Sequence, residues 1–325
     1  MLSLETTYVG LKLKNPIIIS SSGLTSSVSK IVEMEQAGAG AVVLKSLFEE
    51  QILHEAGRLE ISNDYPEASD YIRAYTKANS VGEYLTLIKE AKAKVSIPII
   101  ASINCFSSSE WIGFARQIEA AGADALEVNV FFLPIDNNKS ASFYEHTYLE
   151  LAEKLRSAIK IPIVFKLGNH FTNVLWIIRE LYFRKISGVV LFNRFYEPDI
   201  DINKMKMVSS EVFSRAADLR ASLRWVALSA NKVPNMSIAA STGIHSGEAV
   251  IKMLLAGASA TQVCSAVYKG GPSAITKMVE ILEAWMIEKG YKTIEEFRGK
   301  LSYASNADPA SYERSQFMRY FSNME

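Results

Sequence analysis

Polar side chains recur at the ends of eight short runs that are rich in valine and isoleucine. The residues at these ends are Ser20, Ser21, Ser22, Gly23, Lys45, Ser46, Asn104, Asn129, Lys166, Asn193, Ser241, Thr242, Gly243, Cys264 and Ser265. Two lysines, three amides and two Ser/Gly turns suit a ligand that carries a phosphate and a ring with several carbonyls. Backbone N–H groups at tight turns and helix starts bind phosphate well. Turn formation alone explains such serines and glycines equally well.

Lys166 lies inside the apolar run "IPIVFKLG". An ammonium group buried without a partner is costly, so its place in this run requires an explanation. The side chain can lie along a wall with its head in solvent. Alternatively, the lysine holds an anionic cofactor as a fixed charge, or it acts as a Schiff-base amine.

Other chemical signals are weak. "AGAGAVV" follows a helical segment rather than a strand, which indicates a helix C-terminus and not a dinucleotide-binding turn. Cys264 is typical of a small buried residue. The four histidines are scattered, and the chain has no CxxC or HExxH motif, so we expect no metal site.

The apolar runs are predicted strands over 15–20, 41–45, 97–104, 125–129, 161–167, 187–192, 236–241 and 260–264. Near-continuous apolar runs are typical of parallel strands buried on both faces. Eight helix-period segments alternate with them, which predicts a single-domain α/β fold, a TIM-type (β/α)8 barrel over 1–301. An open doubly wound sheet is the alternative. The predicted barrel carries insertions at about 46–80 and 193–210, and 302–325 form a C-terminal tail.

Composition excludes several classes. Of the 325 residues 49% are hydrophobic, and 35 basic residues balance 35 acidic ones. We therefore expect no nucleic-acid partner. Neither a membrane-spanning run nor a signal peptide is expected. Two cysteines, far apart, do not indicate a disulfide framework, so we expect a cytoplasmic protein.

The segments "LKNPIIISSSGLT", "AGAGAVVLKS", "EVNV", "IPIVFKL" and "STGIHSGEAVIKMLLAGASATQVCSAVYKGGPSAI" resemble the dihydroorotate dehydrogenase family. This family consists of FMN-dependent β/α barrels, and the likeness is to its soluble class. The resemblance implies flavin contacts for Ser22, Gly23, Lys45, Ser46, Asn104, Asn129 and Lys166. It implies a phosphate site near Ser241, Thr242, Gly243, Cys264 and Ser265, and substrate contacts for Lys45, Asn129 and Asn193.

The likeness weakens at the substrate. The family's Cys or Ser base follows the fourth strand, where this chain has Phe131, Phe132 and Leu133, none of which can accept a proton. Ser140 or Ser142 could replace it as the base. Arg194 stands where a small hydroxyl residue is usual, and the family's substrate-binding asparagine loop before the third strand is not evident.

By resemblance the expected reaction is oxidation of dihydroorotate to orotate in pyrimidine (UMP) biosynthesis. The loss around Phe131 favours an altered substrate, either a related compound or another flat, anionic or amphipathic molecule. A Lys166 Schiff-base lyase or aldolase and a catalytically silent binding or assembly module are the alternatives. Soluble relatives pair, so we expect a homodimer; the electron acceptor stays open.

Overall fold

The computed structural model describes residues 2–48, 68–104, 108–130, 132–195 and 197–313, with the backbone alone described for 48, 68–79, 108–110 and 310. Thirteen strands lie within these ranges. They are β1 (Thr6–Tyr8), β2 (Leu11–Leu13), β3 (Ile17–Ile19), β4 (Ala41–Val43), β5 (Leu47–Phe48), β6 (Ile99–Asn104), β7 (Ala125–Asn129), β8 (Ile163–Leu167), β9 (Gly188–Leu191), β10 (Pro198–Asp201), β11 (Lys206–Ser209), β12 (Ser237–Ser241) and β13 (Ala260–Val263).

Eight of these strands close into a parallel barrel. The order is β4-β3-β13-β12-β9-β8-β7-β6, and β6 pairs again with β4 through Val42 and Ile99. Short β5 adds to the carboxyl end of β6. The predicted TIM-type barrel is confirmed, and each of the eight predicted strands contains one barrel strand. The doubly wound alternative is wrong because its sheet would have two open edges.

Helices connect the strands. Their bounds are Val28–Gln36, Ala68–Lys94, Ser108–Ala120, Ala141–Ala158, Val174–Phe183, Leu219–Lys232, Gly247–Ala256, Ser265–Gly270 and Ser273–Lys289, with 3-10 turns at Gly23–Thr25, Ala216–Asp218, Ile294–Glu296 and Pro309–Tyr312. Side-chain caps define several starts; Asn173, for example, accepts a bond from Trp176 N at 3.0 Å. Among the described helices, none is long and apolar enough to cross a bilayer.

The barrel has two apolar layers. The larger lies between the strands and the surrounding helices. The smaller fills the barrel interior with one or two residues from each barrel strand, among them Ala125, Val164 and Ala260. The β1–β2 hairpin closes the amino end of the barrel, because its buried Tyr8 and Val9 belong to this inner layer and Val9 N donates to Ser237 Oγ at 3.1 Å. Among the described residues the hairpin thus covers the amino end, and the polar strand ends lie at the opposite, carboxyl end.

The two long connections both leave that carboxyl end. Of the first, residues 49–67 lie outside the described part of the chain. The second contains the β10–β11 hairpin, paired from Pro198–Ser209 to Asp201–Lys206. Ile200 and Met207 on this hairpin are exposed.

The start of the predicted tail packs on the barrel. Tyr303 N donates to Ala227 O at 3.1 Å, and Ala304 N donates to Asn231 Oδ1 at 2.7 Å, so this segment lies along the helix Leu219–Lys232. The division into a barrel over 1–301 and a tail over 302–325 stays a prediction.

The turn after β12 requires glycine. Gly243 has φ +79°, in the left-handed region, and an added Cβ would lie 2.2 Å from Leu219 N. The turn backbone therefore packs directly on the start of the helix Leu219–Lys232. Thr242 also has positive φ, and its hydroxyl donates to Phe192 O at 3.0 Å.

We predict that Gly243→Ala lowers the free energy of unfolding by about 2–5 kcal/mol, since left-handed strain and a steric clash add. Gly122→Ala is the matched control, because Gly122 has φ +95° but open space around its Cβ position. Strain alone should cost it about 1–2 kcal/mol. Urea unfolding of both variants measures the difference, and equal losses would contradict the packing argument.

Candidate functional site

Polar residues line the barrel interior at the carboxyl ends of the strands. Side chains alternate between the two faces of a strand, so every second residue points into the barrel. Ala125 belongs to the inner layer, so Glu127 and Asn129 on the same strand also face inward. Lys166 follows Val164 in the same way on β8 and pairs in register with Asn129. The interior is thus apolar near the hairpin and polar near the mouth.

The centre of this polar layer is the Lys166 cluster, formed by Lys166, Glu127, Gln262 and Ser20. Lys166 Nζ donates to Ser20 Oγ at 3.0 Å and to Gln262 Oε1 at 3.1 Å, and lies 3.7 Å from Glu127 Oε1. Gln262 Nε2 donates to Glu127 Oε2 at 2.5 Å. Lys166 is only 6% exposed, so its head does not reach out to bulk solvent. The buried ammonium is held by a buried carboxylate and two neutral acceptors.

Glu127 also affects Tyr8, which belongs to the inner apolar layer of the barrel. Burial and the negative charge of Glu127 raise the pKa of Tyr8 well above its ordinary value. Tyr8 Oη has no hydrogen-bond partner within the described residues, and neither has Glu127 Oε1. Glu127 therefore relies on Lys166 for its charge balance, and the two residues form a mutually dependent buried pair.

A second polar group joins the first three barrel strands. Ser46 Oγ lies 2.9 Å from Ser21 Oγ and 2.7 Å from Ser102 Oγ. Tyr84 Oη spans the backbone of Ser102, accepting from its N at 2.7 Å and donating to its O at 3.0 Å. Burial raises the pKa of Tyr84, so the phenol stays protonated and holds this strand end in place.

Between the ends of β8, β9, β12, β13 and β3 lies a cavity of about 180 Å³, which we call the polar cavity. Its lining residues are Ser20, Ser21, Lys166, Phe192, Asn193, Arg194, Val212, Ser214, Ser241, Thr242, Gly243, Ile244, Gln262, Cys264 and Ser265. Lys166 and Arg194 bring positive charge, and no carboxylate is among the described lining residues. Both cations have carboxylate partners outside this lining, Glu127 for Lys166 and Glu197 and Asp218 for Arg194. The described lining itself thus offers cations and hydroxyls, but no carboxylate, to an anionic ligand.

Seven of the site residues predicted from the sequence meet in the polar cavity: Lys166, Asn193, Ser241, Thr242, Gly243, Cys264 and Ser265. Burial raises the pKa of the Cys264 thiol, although Ser22 and Lys166 oppose this, so the thiol is a poor nucleophile.

Other predicted residues border the cavity or lie apart from it. Asn129 Oδ1 accepts from Asn193 Nδ2 at 2.9 Å. Asn104 is buried, and its Oδ1 has no partner among the described residues, which leaves an acceptor for a ligand donor. Ser22 caps the turn Gly23–Thr25. The side chain of Lys45 is exposed.

The loop after β7 forms a separate, aromatic cavity of about 210 Å³. Its lining residues are Phe132, Pro134, Lys139, Ala141, Tyr144, Glu145, Tyr148, Gly168, His170, Phe171, Thr172 and Phe195. Phe132 packs edge-on against Tyr148, with ring centroids 5.5 Å apart, and Leu133 is 58% exposed. Phe131 lies outside the described residues.

The two serines proposed as substitute bases lie at the start of the helix Ala141–Ala158. Ser140 caps this helix by accepting from Phe143 N at 3.3 Å, and its Oγ lies 2.8 Å from Ser142 Oγ. Both serines are exposed, and neither lines the polar cavity.

Sequence reasoning missed Glu127 and Gln262, the polar partners of Lys166. The signal was present, because a glutamate in "ALEVN" and a glutamine in "ATQVC" interrupt apolar strands two residues before a strand end. Alternation places both on the inner face. Ser214 was missed as well. It lies in a loop without regular structure, far in sequence from the strand ends that line the polar cavity, and only the folded chain brings it there.

Known proteins resemble this chain over almost its full length. The family model described as dihydroorotate dehydrogenase matches residues 3–286. A protein of Thermoplasma volcanium named dihydroorotate dehydrogenase B (NAD(+)), catalytic subunit, is 27% identical, covering 92% of this chain and 98% of its own. A protein of the same name from Methanocaldococcus jannaschii is 25% identical, with 91% and 97% covered. The likeness therefore includes the strand ends that build the polar cavity.

We predict that Lys166→Met lowers the free energy of unfolding by about 3–5 kcal/mol, because it leaves Glu127 buried without its counter-charge. Lys166→Met combined with Glu127→Gln should be more stable than Lys166→Met alone. Lys92→Met is the matched control, since the Lys92–Asp124 pair is partly exposed, and it should cost less than ~1 kcal/mol. Urea unfolding tests all three variants; a double variant no more stable than Lys166→Met would contradict the pairing.

Proposed function

Because this chain belongs to the dihydroorotate dehydrogenase family, we propose that it binds FMN and oxidises dihydroorotate, or a related compound, in pyrimidine biosynthesis. Membership confirms the resemblance stated from the sequence. It also confirms the prediction of an enzyme of the flavin-dependent oxidoreductase class. The cofactor, the substrate and the residue roles are proposals that rest on the geometry of the polar cavity.

The observation that carries the proposal is the buried Lys166 ammonium at the head of a cavity whose described lining includes no carboxylate. FMN matches this donor set. Its phosphate would lie at the turn formed by Ser241, Thr242 and Gly243 and at Ser265, which together supply backbone N–H groups and hydroxyls. Its ring carbonyls would lie toward Lys166, and Asn104 Oδ1 would accept from a ring N–H.

Bound FMN would supply the acceptor for a hydride taken from the substrate. The chain's contribution is charge and position. Lys166, anchored by Glu127, Gln262 and Ser20, would place a fixed positive charge beside the cofactor, where it would favour negative charge on the ring. Its rigid anchoring means that little reorganisation is needed as that charge develops.

Substrate recognition would fall to the Asn129–Asn193 pair. The bond from Asn193 to Asn129 leaves the Asn193 carbonyl and the Asn129 amide group for a ligand. An amide pair of this kind suits a flat ring with both donors and acceptors. Lys45, exposed near the mouth, would contribute to the substrate and cofactor sites from the rim.

An altered substrate is favoured by one specific observation, the aromatic cavity. It lies beside the site, since Gly168 and Phe195 in its wall follow closely after Lys166 and Asn193. A substrate with an apolar extension would fit there, in keeping with the replacement of the family's base by Phe131, Phe132 or Leu133. Ser140 and Ser142 stay candidates for the base.

The rival functions make different demands. A Schiff-base lyase or aldolase needs Lys166 as a free neutral amine, whereas two acceptors and a carboxylate surround its Nζ. Trapping with borohydride and a carbonyl substrate would reveal such chemistry. A silent binding or assembly module would bind no flavin.

The electron acceptor and the assembly are also proposals. The two relatives are named as catalytic subunits of NAD(+) enzymes, which supports NAD+ as acceptor through another subunit. The homodimer and the cytoplasmic location stay predictions.

We predict that the purified protein binds FMN, and that dihydroorotate added without oxygen bleaches the yellow absorbance. Dithionite bleaching serves as the control for an intact cofactor. If dithionite bleaches the bound flavin and dihydroorotate does not, the substrate differs from dihydroorotate. Failure to bind flavin would contradict the proposed function.

If dihydroorotate does bleach the flavin, the double variant Ser140→Ala, Ser142→Ala tests the substitute base. Loss of bleaching by at least about 100-fold in rate would identify this pair, since general-base catalysis contributes on that order. An unchanged rate would exclude both serines.

A further inference from the structure

A chain of three side chains runs along one wall of the polar cavity, apart from the Lys166 cluster. His245 Nε2 lies 3.0 Å from Ser214 Oγ. Ser214 Oγ donates to Ser265 Oγ at 3.1 Å, and Ser214 N donates to the same oxygen at 3.1 Å. We call these three residues the serine–histidine relay. Ser214 and Ser265 line the polar cavity, while His245 stands behind them.

The direction of the donors follows from counting hydrogens. Ser214 has one hydroxyl hydrogen and directs it to Ser265, so its oxygen must accept from His245, which requires hydrogen on Nε2. Ser265 Oγ accepts twice and has its own hydrogen left. The relay therefore runs outward and ends in a hydroxyl that is free to donate to an acceptor in the cavity. Hydrogen bonds in series polarise one another, which strengthens the last donor.

The charges around the relay also favour an anion. Burial lowers the pKa of His245, and Lys269 lowers it further, while the bond with Ser214 and the charge of Asp218 raise it. Arg194 and Lys166 line the same cavity. An anion close to Ser265 would offset the repulsion from these cations and favour a proton on His245.

We propose that His245 is a positioning residue for the phosphate monoester of the flavin nucleotide, acting through Ser214 and Ser265. This inference rests on the proposed FMN function and extends it to two residues, His245 and Ser214, that the sequence did not assign. The turn at Thr242 and Gly243 would supply backbone N–H groups on one side of the phosphate, and the relay would supply an oriented hydroxyl on the other.

A purely structural role for His245 would have a different signature. If the histidine only braces the loop that carries Ser214, its loss would weaken binding of any flavin. If it orients a phosphate donor, its loss would weaken FMN but not riboflavin, which has the same ring and ribityl chain without the phosphate. The ratio of the two affinities therefore separates the two roles.

The test is a titration of the apoprotein with FMN and with riboflavin, followed by quenching of flavin fluorescence. His245→Ala should weaken FMN binding about fivefold, because Ser265 keeps its hydroxyl donor but loses the bonded series that orients and polarises it, and it should change riboflavin binding less than twofold. Ser214→Ala should reproduce this pattern, and the double variant should be no weaker than either single one. His245→Gln, which keeps an N–H donor, should recover part of the affinity.

The pH profile gives a second readout. A proton on His245 is favoured by the bound anion, so wild-type FMN affinity should rise as pH falls through the histidine pKa of the complex. His245→Gln cannot titrate, so its profile should show only the titration of the phosphate itself. The ratio of wild-type FMN affinity to that of His245→Gln, measured at the same pH, should therefore rise as pH falls.

The outcomes are distinguishable. Equal losses for FMN and riboflavin, or no loss for either, would overturn the inference while the proposed function stands. Wild-type protein that binds neither flavin would overturn both. Urea unfolding of each variant checks that the folded state is intact, and Ser214→Ala provides the same test if His245→Ala fails to fold.

Discussion

The buried ammonium of Lys166 is the constraint on which the rest of this site depends. A lysine head that is nearly inaccessible to water requires a carboxylate and good hydrogen-bond acceptors. The barrel supplies them from three other strands, with Glu127 on β7, Gln262 on β13 and Ser20 just after β3. Only a closed barrel brings strands so distant in sequence to one point, so the fold and the charge arrangement require each other.

The same arrangement divides the mouth into two chemically different halves. The polar cavity, on the side of β12 and β13, combines cations, hydroxyls and turn backbone without a carboxylate among its described lining residues. The aromatic cavity, on the side of β7 and β8, is walled largely by rings. The Asn129–Asn193 pair belongs to the strand ends shared by both halves. Such a division suits a cofactor bound in one half and a substrate that extends toward the other.

This division agrees with the way the chain relates to its family. Several of the segments on which the sequence resemblance rests contribute lining residues to the polar cavity, which is the cofactor half of the proposed site. Of the departures expected from the sequence, Phe132 and Leu133 lie in the loop after β7, on the proposed substrate side, whereas Arg194 lines the polar cavity beside Asn193. Arg194 is held in place by bonds to the carbonyls of Glu211 and Val212, so it shapes the loop that carries Ser214. Changes in such loops alter the ligand without disturbing the barrel.

The sequence by itself determined the eight strands, their order of alternation with helices and the residues at their ends, since apolar runs and turns are local patterns. It also determined that Lys166 needed a partner. Only the tertiary structure decided which partner, because Glu127 and Gln262 are 39 and 96 positions away and alternation within one strand does not reveal who faces whom across a barrel. The relay of His245, Ser214 and Ser265 likewise depends on a loop, a turn and a strand end meeting in space. Such hydrogen bonds join segments that become neighbours only when the barrel closes, so no local sequence pattern predicts them.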